Sequence, residues 1–510
     1  MDLNFVSKVR WKIVLISFLV SIFFQFPHIY ALLQTPDGYV FAGQAAWFDP
    51  WDVNVYLSAI RWAQEFGWYF QNTYTTISHQ SIVFYPLYTA IGLLFPAVSP
   101  LFLYSVLKVP AGMVLVYSVY KVSRVFLNEN KALLATVVAS FAGGFGGLLY
   151  GTASIPDISI TPFILYSAFE KPHEALAISF YLLSLANLFL FYKNKERTRL
   201  WRSAILFVPV IILYPYYLMS YYLLVGLGFL LYTFSVDEIV RHVGRAILVT
   251  LPFGVFYSWY LLSSEGFSNV TSPYLGTPHP FYMVLGYGVF FFVLLYGVRR
   301  NFEDKTISTL YLWFFLNVFL SYTPLSFARY YLRGLFVPLS ILLVYLLPSM
   351  AKKFSVKPRT LMVVLGVFLF MTNGVIYIGR AWRVHVDKTY YMELGENEMI
   401  TYLDTVPVGS GILSGYELGN LIPAYTANRV YYGHAFQTPD SGAKAEELTK
   451  FYRNEMTEEE ATEFLSKNAI SYVVWGEEEQ TLSENEELKY QMLDQVFKNE
   501  VGTVFSVAMD

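Results

Sequence analysis

The chain has 510 residues and no cysteine. Disulfides, thiolate catalysis and cysteine-ligated zinc are therefore excluded. Charge is scarce too. Asp, Glu, Lys and Arg make up 14% of the residues, against about 25% in a soluble domain. The formal net charge is −3, so no basic surplus is left for a nucleic-acid partner. Seven histidines are scattered without an HExxH pair, and no dedicated metal centre is signalled. The Gly-rich run "FAGGFGGLLYG" at 141–151 follows no strand and lacks the Lys-Ser/Thr of a phosphate-binding loop. Close packing of helices through small residues is the reading there.

Apolar and aromatic residues are abundant instead. Hydrophobic residues reach 55% and Phe, Tyr and Trp 19%, the mark of many helix ends in interfacial aromatic belts. The reading is a mainly α, polytopic membrane helix bundle. Apolar runs of about 20 residues are expected to span near 11–31, 101–120, 132–150, 174–192, 203–217, 218–234, 246–263, 280–298, 307–322, 331–349 and 360–379.

Lys and Arg orient these spans. The N-terminus carries Lys8, Arg10 and Lys12, and five loops are basic: 121–131, 193–202, 241–245, 299–305 and 352–359. The loops between them are poor in cations; 151–172 has only Lys171. Placing the basic loops in the cytoplasm requires about eleven crossings, with the N-terminus inside and the tail outside. "SIVFYPLYTAIGLLFPAVSP" at 81–100 would break that parity as a span. It reads as a helix on or dipping into the outer face, interrupted by Pro86, Pro96 and Pro100. Arg380, Arg383 and Lys388 run against the scheme, but large domains translocate regardless of charge.

From about 390 the chain turns charged. Helical stretches alternate with β-rich runs "GILSG", "RVYYG", "SYVVWG" and "VGTVFSVAM", which suggests a small α/β domain with a sheet. The expected division is 1–389, a membrane domain with an outer loop at 32–100, and 390–510, an extracytoplasmic α/β domain. "YPYY" (214–217) reads as a helical hairpin turn. "NVT" (269–271) is a glycosylation-type triplet of little weight.

Three sets of residues are candidates for a site. In the outer loop, "WFDPWDVNVYLSAIRWAQEF" places Tyr56, Ala59, Ile60 and Ala63 at helical spacing, as in an amphipathic helix lying on a bilayer. Asp49 and Asp52 sit at its start, where acids are expensive near hydrocarbon. Capping of that helix is the simpler reading for Asp49. In "IPDISITPFILYSAFEKPHEALAISF", Asp157, Glu170, His173 and Glu174 gather at a helix mouth, a site candidate or a set of N-terminal caps. Lys108, Arg329 and Arg333 are cations at the outer ends of spans. There they need anionic partners such as phosphate, or else they snorkel to lipid headgroups.

Together these elements resemble the GT-C class of integral-membrane glycosyltransferases, the group that includes protein O-mannosyltransferases and aminoarabinose transferases. Members have one span, then an outer loop opening with an acid and a Tyr four residues on. A "G-aromatic" stretch and a "PPL-Y" helix follow, and then a span with a basic residue near its outer end. The corresponding residues are Asp52 with Tyr56, "EFGWYFQN" (65–72), "YPLYTAIGLLFP" (85–96), Lys108 and the inner loop 121–131. The stretch "GYELGNLIPAYTANRVYYGHAFQTPD" (415–440) also resembles such proteins. Val53 stands where a second acid is usual, and Tyr85–Pro86 replaces the double proline.

The resemblance implies a sugar donor on a polyprenyl phosphate, taken from the outer leaflet of the cell membrane, and a glycan, lipid or protein acceptor. Asp52 would be the general base, with Asp49 as helper. Lys108 and Arg329 would receive the leaving phosphate. His173, Tyr56, Arg333 and Glu170 would line the substrates. No cofactor is implied with certainty. Magnesium or manganese stays open, since Asp49 and Asp52 offer oxygen ligands. A transporter or flippase of lipid-linked sugars and a non-enzymatic envelope assembly protein are the alternatives. The first lacks an internal repeat here.

Overall fold

In the computed structural model, residues 11–44, 46–161, 163–262, 276–298, 304–384, 388–484 and 487–508 are described. Lys8, Arg10, the NVT triplet and Arg299 lie outside them. The chain opens with α1 (Trp11–Leu33), β1 (Tyr39–Phe41), α2 (Asp52–Phe66) and α3 (Pro86–Leu94). The bundle continues through α4 (Pro100–Phe126), α5 (Glu129–Phe141), the short turns α6 (Pro156–Ser159) and α7 (Tyr166–Glu170), α8 (Pro172–Asn194), α9 (Arg197–Leu213) and α10 (Leu218–Leu231). It closes with α11 (Val236–Leu262), α12 (Pro280–Tyr287), α13 (Val289–Val298), α14 (Lys305–Ser321), α15 (Phe336–Lys353) and α16 (Pro358–Arg383). Pro215–Tyr217 makes the tight turn between α9 and α10.

The mainly helical fold is as expected, and a helix or bent helix pair lies at each of the eleven expected spans. Among the described residues six helices are long and apolar enough to cross a membrane alone: α1, α4, α8, α11, α15 and α16. A seventh arises if α12 and α13, bent by 97°, count as one. The span expected at 132–150 stops at Phe141. The bend and the early stop share a cause. Residues 142–147 leave the helix and wedge against α12, with Phe145 N–H donating to Leu285 O at 2.9 Å. A Cβ on Gly144 would strike the Gly286 carbonyl, and one on Gly147 would meet the Thr372 backbone. Small residues allow close packing here, as expected, but between a loop and helices.

The basic loops gather on one face. Lys193 Nζ donates to Val125 O at 2.7 Å, Lys195 lies 4.7 Å over the Phe234 ring and Lys305 lies 5.1 Å over Tyr232. Arg380 and Arg383, which ran against the charge pattern, are used inside the fold. Arg380 pairs with Glu170 at 3.3 Å, and Arg383 lies 4.5 Å over Trp47.

On the opposite face, α3 is 9 residues long and reaches only about 14 Å, too short to span. Helix α2 corrects the expectation of a surface-lying amphipathic helix, because both of its sides are covered. Tyr56, Leu57 and Ile60 pack with Tyr88, Tyr104 and Ala424, while Val55 joins Ile422, Met399 and Val474. The second set belongs to the C-terminal segment.

That segment starts with β2 (Tyr391–Glu393), antiparallel to β1. Then come α17 (Leu394–Leu403), β3 (Gly411–Leu413), α18 (Tyr416–Tyr425), β4 (Arg429–Val430), α19 (Ser441–Tyr452), α20 (Glu458–Lys467), β5 (Tyr472–Trp475), α21 (Glu477–Leu482), β6 (Leu493–Lys498) and β7 (Thr503–Val507). The sheet order is β4-β3-β5-β7-β6, parallel from β4 to β5 and antiparallel beyond. Side chains alternate across it. Leu413 and Val473 meet Phe451, Tyr452 and Leu465. Ile412 and Val474 face Ile422 together with Ala42, Val55 and Tyr74 of the first loop. The loop after α1 thus supplies part of the core under the sheet.

Candidate active site

Asp49, Pro50 and Trp51 lead into α2, whose N-cap is Trp51 without a side-chain cap. Neither acid caps the helix, contrary to the simpler reading of Asp49. Asp49 takes a φ of 46°, the left-handed region that Asp tolerates better than most residues. Both carboxylates turn to Lys171. Its Nζ is 2.7 Å from Asp52 Oδ2 and 3.3 Å from Asp49 Oδ2, and Thr161 Oγ1 donates to the same Asp49 oxygen. The Lys171 side chain is 2% exposed, that of Asp52 28% and that of Asp49 46%. A buried ammonium needs such partners, since desolvation costs several kcal/mol per ion.

Burial would push Asp52 up, but the Lys171 charge and the His434 imidazole outweigh it and hold the carboxyl well below the usual carboxylate range. Burial would pull Lys171 down, but Asp52, Asp49 and Glu174 hold it well above its ordinary value. Asp52 and Lys171 are therefore both charged at neutral pH.

Other expected residues form the surroundings of this cluster. Glu170 accepts from the backbone N–H groups of Trp47 and Phe48 at 2.8 and 3.2 Å and pairs with Arg380. It fixes the backbone just ahead of Asp49. Arg333 pairs with Glu174 at 3.0 Å, with side chains 1% and 4% exposed, so Arg333 does not snorkel. Its guanidinium lies 4.5 Å over Tyr214. His173 Nδ1 meets Tyr88 Oη at 2.8 Å, and its ring is 4.7 Å from Tyr56. Asp157 takes no part. It accepts from Gly144 N at 2.7 Å and from Thr372 Oγ1 at 2.6 Å, and so pins the Gly-rich loop to α16.

The two cations expected nearest the reaction stand apart from the acids. Lys108 is buried, with Nζ 3.3 Å from His28 Nδ1 and 4.9 Å over Tyr104. Arg329 is half-buried beside the Tyr330 ring, 5.7 Å away, and its Nε has no hydrogen-bond partner. No contact between either of them and Asp52 is found among the described residues.

Two members of the cluster were missed in the sequence. Lys171 was legible only as the single cation of an outer loop. His434 comes from the C-terminal segment, with Nε2 3.5 Å from Asp52 Oδ1; only its place in the 415–440 stretch pointed to it. Toward the C-terminal end of α2, a cavity of about 1290 Å³ is lined by Trp62, Phe66, Gln71, Gln80, Tyr257 and Arg429, among others. Phe253 and Phe256 of α11 also line it and are 47% and 61% exposed. The cavity therefore has one greasy wall continuous with the lateral surface and one polar rim. Tyr85 links the two places, within electrostatic reach of both Asp52 and Tyr257.

The acid pair does not fit a divalent ion. The Lys171 ammonium holds the place between the carboxylates, and among the described residues no three His, Asp or Glu side chains form a group that could hold a metal.

No protein-family model matches the sequence, and no curated protein matches it. Solved structures do. The oligosaccharyltransferase of Archaeoglobus fulgidus, tethered to an acceptor peptide containing the NVT sequon, aligns with a TM-score of 0.55 at 12% identity over 94% of this chain and 71% of that one. The same archaeal enzyme, AglB, in complex with an inhibitory peptide and a dolichol-phosphate, aligns with a TM-score of 0.53 at 13% identity over 92% and 69%. Arabinofuranosyltransferase AftD from Mycobacteria aligns at 0.54 and 11% identity over 96% of this chain and 42% of that one. These neighbours are GT-C glycosyltransferases. The likeness establishes the fold expected from the sequence: a membrane helix bundle with a C-terminal soluble part.

Proposed function

We propose that this protein is a membrane glycosyltransferase that moves a sugar from a polyprenyl-phosphate donor to an acceptor at the outer face. The observation that carries this reading is the Asp49–Lys171–Asp52 cluster with its buried ammonium, held at the start of α2 on the face opposite the basic loops. The fold adds support, since one neighbour of the same architecture is described with a dolichol-phosphate and another with an acceptor peptide. The orientation follows from the charge rule: basic loops inside, residues 32–100 and 390–510 outside.

An outer-loop aspartate takes the proton of the acceptor nucleophile as it attacks the sugar carbon, and the lipid phosphate leaves. Of the two acids, Asp49 suits this role better than Asp52. It is the more exposed, its contact with Lys171 is the longer, and its Oδ1 has no partner among the described residues, whereas Asp52 has Lys171 on one oxygen and His434 facing the other. Lys171 supplies the positive charge between them. Arg329 stands apart from the acids, and its Nε, without a hydrogen-bond partner among the described residues, is the candidate to grip the departing phosphate.

The test is sugar transfer by the protein reconstituted with polyprenyl-phosphate sugars. Asp49→Asn should lower the rate by about 100-fold or more with normal expression, and Arg329→Ala should chiefly weaken donor use. Full activity in Asp49→Asn, or transport without transfer, would overturn the proposal.

A further inference from the structure

We infer that His434 is a positioning residue of the active site, carried there by the C-terminal segment to fix Asp52 as an anion and leave Asp49 as the proton acceptor. This rests on the glycosyltransferase reading for its chemistry, though not for its geometry.

The imidazole is held in one tautomer. Its Nδ1 accepts from the backbone N–H groups of Phe436 and Gln437, both at 3.2 Å. A nitrogen that accepts two amide bonds carries no proton, so in the neutral ring the proton sits on Nε2. That Nε2 is buried and makes no hydrogen bond among the described residues. It faces Asp52 Oδ1 at 3.5 Å, a few tenths of an ångström beyond ordinary N–H···O length.

The loop around it is built to make this approach. Thr438 Oγ1 accepts from Gly433 N and His434 N at 3.3 and 3.1 Å. Asn420 Nδ2 donates to Gly433 O at 2.7 Å, and Asn54 Nδ2 donates to Asn420 Oδ1 at 2.7 Å. Asn54 lies on α2, two positions after Asp52. The helix that bears the acid is thereby tied to the loop that bears the histidine. Asn72 Nδ2 adds a bond to Gln437 O at 2.8 Å. A Cβ on Gly419 or Gly433 would collide with the backbone opposite, so glycine is required at both positions.

The consequence is a division of labour between the two acids. Lys171 engages one oxygen of Asp52 and His434 faces the other. On Asp49 only Oδ2 is engaged among the described residues.

The experiment uses the full chain in liposomes with a polyprenyl-phosphate sugar. His434→Ala should lower kcat about tenfold, as for loss of a polar group facing a charged one, with KM for the donor little changed. His434→Gln keeps an N–H donor near the same point and should recover most of that loss. Thermal midpoints of both variants separate this from mere unfolding. Unchanged kcat in His434→Ala overturns the inference and leaves the glycosyltransferase reading standing. So does equal impairment of the two variants in step with their midpoints. If the wild type transfers no sugar, that reading falls first. The contact is then judged by thermal stability of Asp52→Asn, His434→Ala and the double variant. Non-additive effects support it and additive effects overturn it.

Discussion

Lys171 meets two carboxylates while only 2% exposed, so its removal leaves an uncompensated pair of acids in a partly dry place. Lys171→Met should cost about 3–5 kcal/mol, read as a lower unfolding midpoint in detergent, and should abolish transfer. Asp157 behaves in the opposite sense. Burial pushes it up to about 6 against the bonds from Thr372, Gly144 and Gly146. A raised folded-state pKa means that the protonated form is the one the fold favours. The stability it brings is complete below the unfolded value of 3.8 and is lost as pH rises through about 6. Asp157→Asn should therefore remove a decline in midpoint between about pH 4 and pH 6.5. At neutral pH it should be at least as stable as the wild type, with transfer intact. Loss of transfer would restore Asp157 to the site.

Among elements, the Gly-rich loop 142–147 and the bent helix pair depend on each other. Gly144→Ala drives a methyl into the Gly286 and Leu285 carbonyls and should cost about 1–3 kcal/mol. Gly226, inside α10, has nothing within 4 Å of the point an added methyl would occupy, so Gly226→Ala should be neutral or gain about 0.5–1 kcal/mol. Paired midpoints check both. The wedge was half legible in the sequence. Four glycines announce close approach, but the partner is more than 100 residues away and no local period names it. Helix α2 was misread for a related reason. Its alternation of apolar and polar residues describes one buried face, and the second face is covered by α18, which only the tertiary fold brings there. The long spans, the basic loops and the strands β3, β4, β5 and β7 were legible because length, charge and alternation are local signals. Strand β6 was not, since "LDQVFK" is largely exposed and carries little apolar pattern.

For the whole molecule, the site is assembled from parts distant in the chain, so its integrity depends on how the tail is held. Asp49 and Asp52 come from the first loop, Lys171 from the mouth of α8 and His434 from the tail. The tail is fastened by the β1–β2 pair, by the buried Asn54–Asn420–Gly433 chain, and by the shared core of Ala42, Val55 and Tyr74 with Ile422 and Val474. The Arg61–Asp404 pair, at 2.9 Å but partly exposed, adds little. Most of the attachment is thus apolar or buried and should resist salt. A protease site inserted at 385–388 tests this. After cleavage the tail should remain bound through affinity purification at about 1 M salt, where exposed ion pairs are screened, and transfer should persist. The absence of cysteine allows the sides to be checked on the same protein. A cysteine introduced at Glu446 should react with an impermeant maleimide from outside intact cells, and one at Glu196 should not. A tail that washes away with transfer intact would mean that His434 is not needed. Labelling of Glu196→Cys from outside would reverse the orientation and remove the acid pair from the face where a lipid-linked sugar is taken.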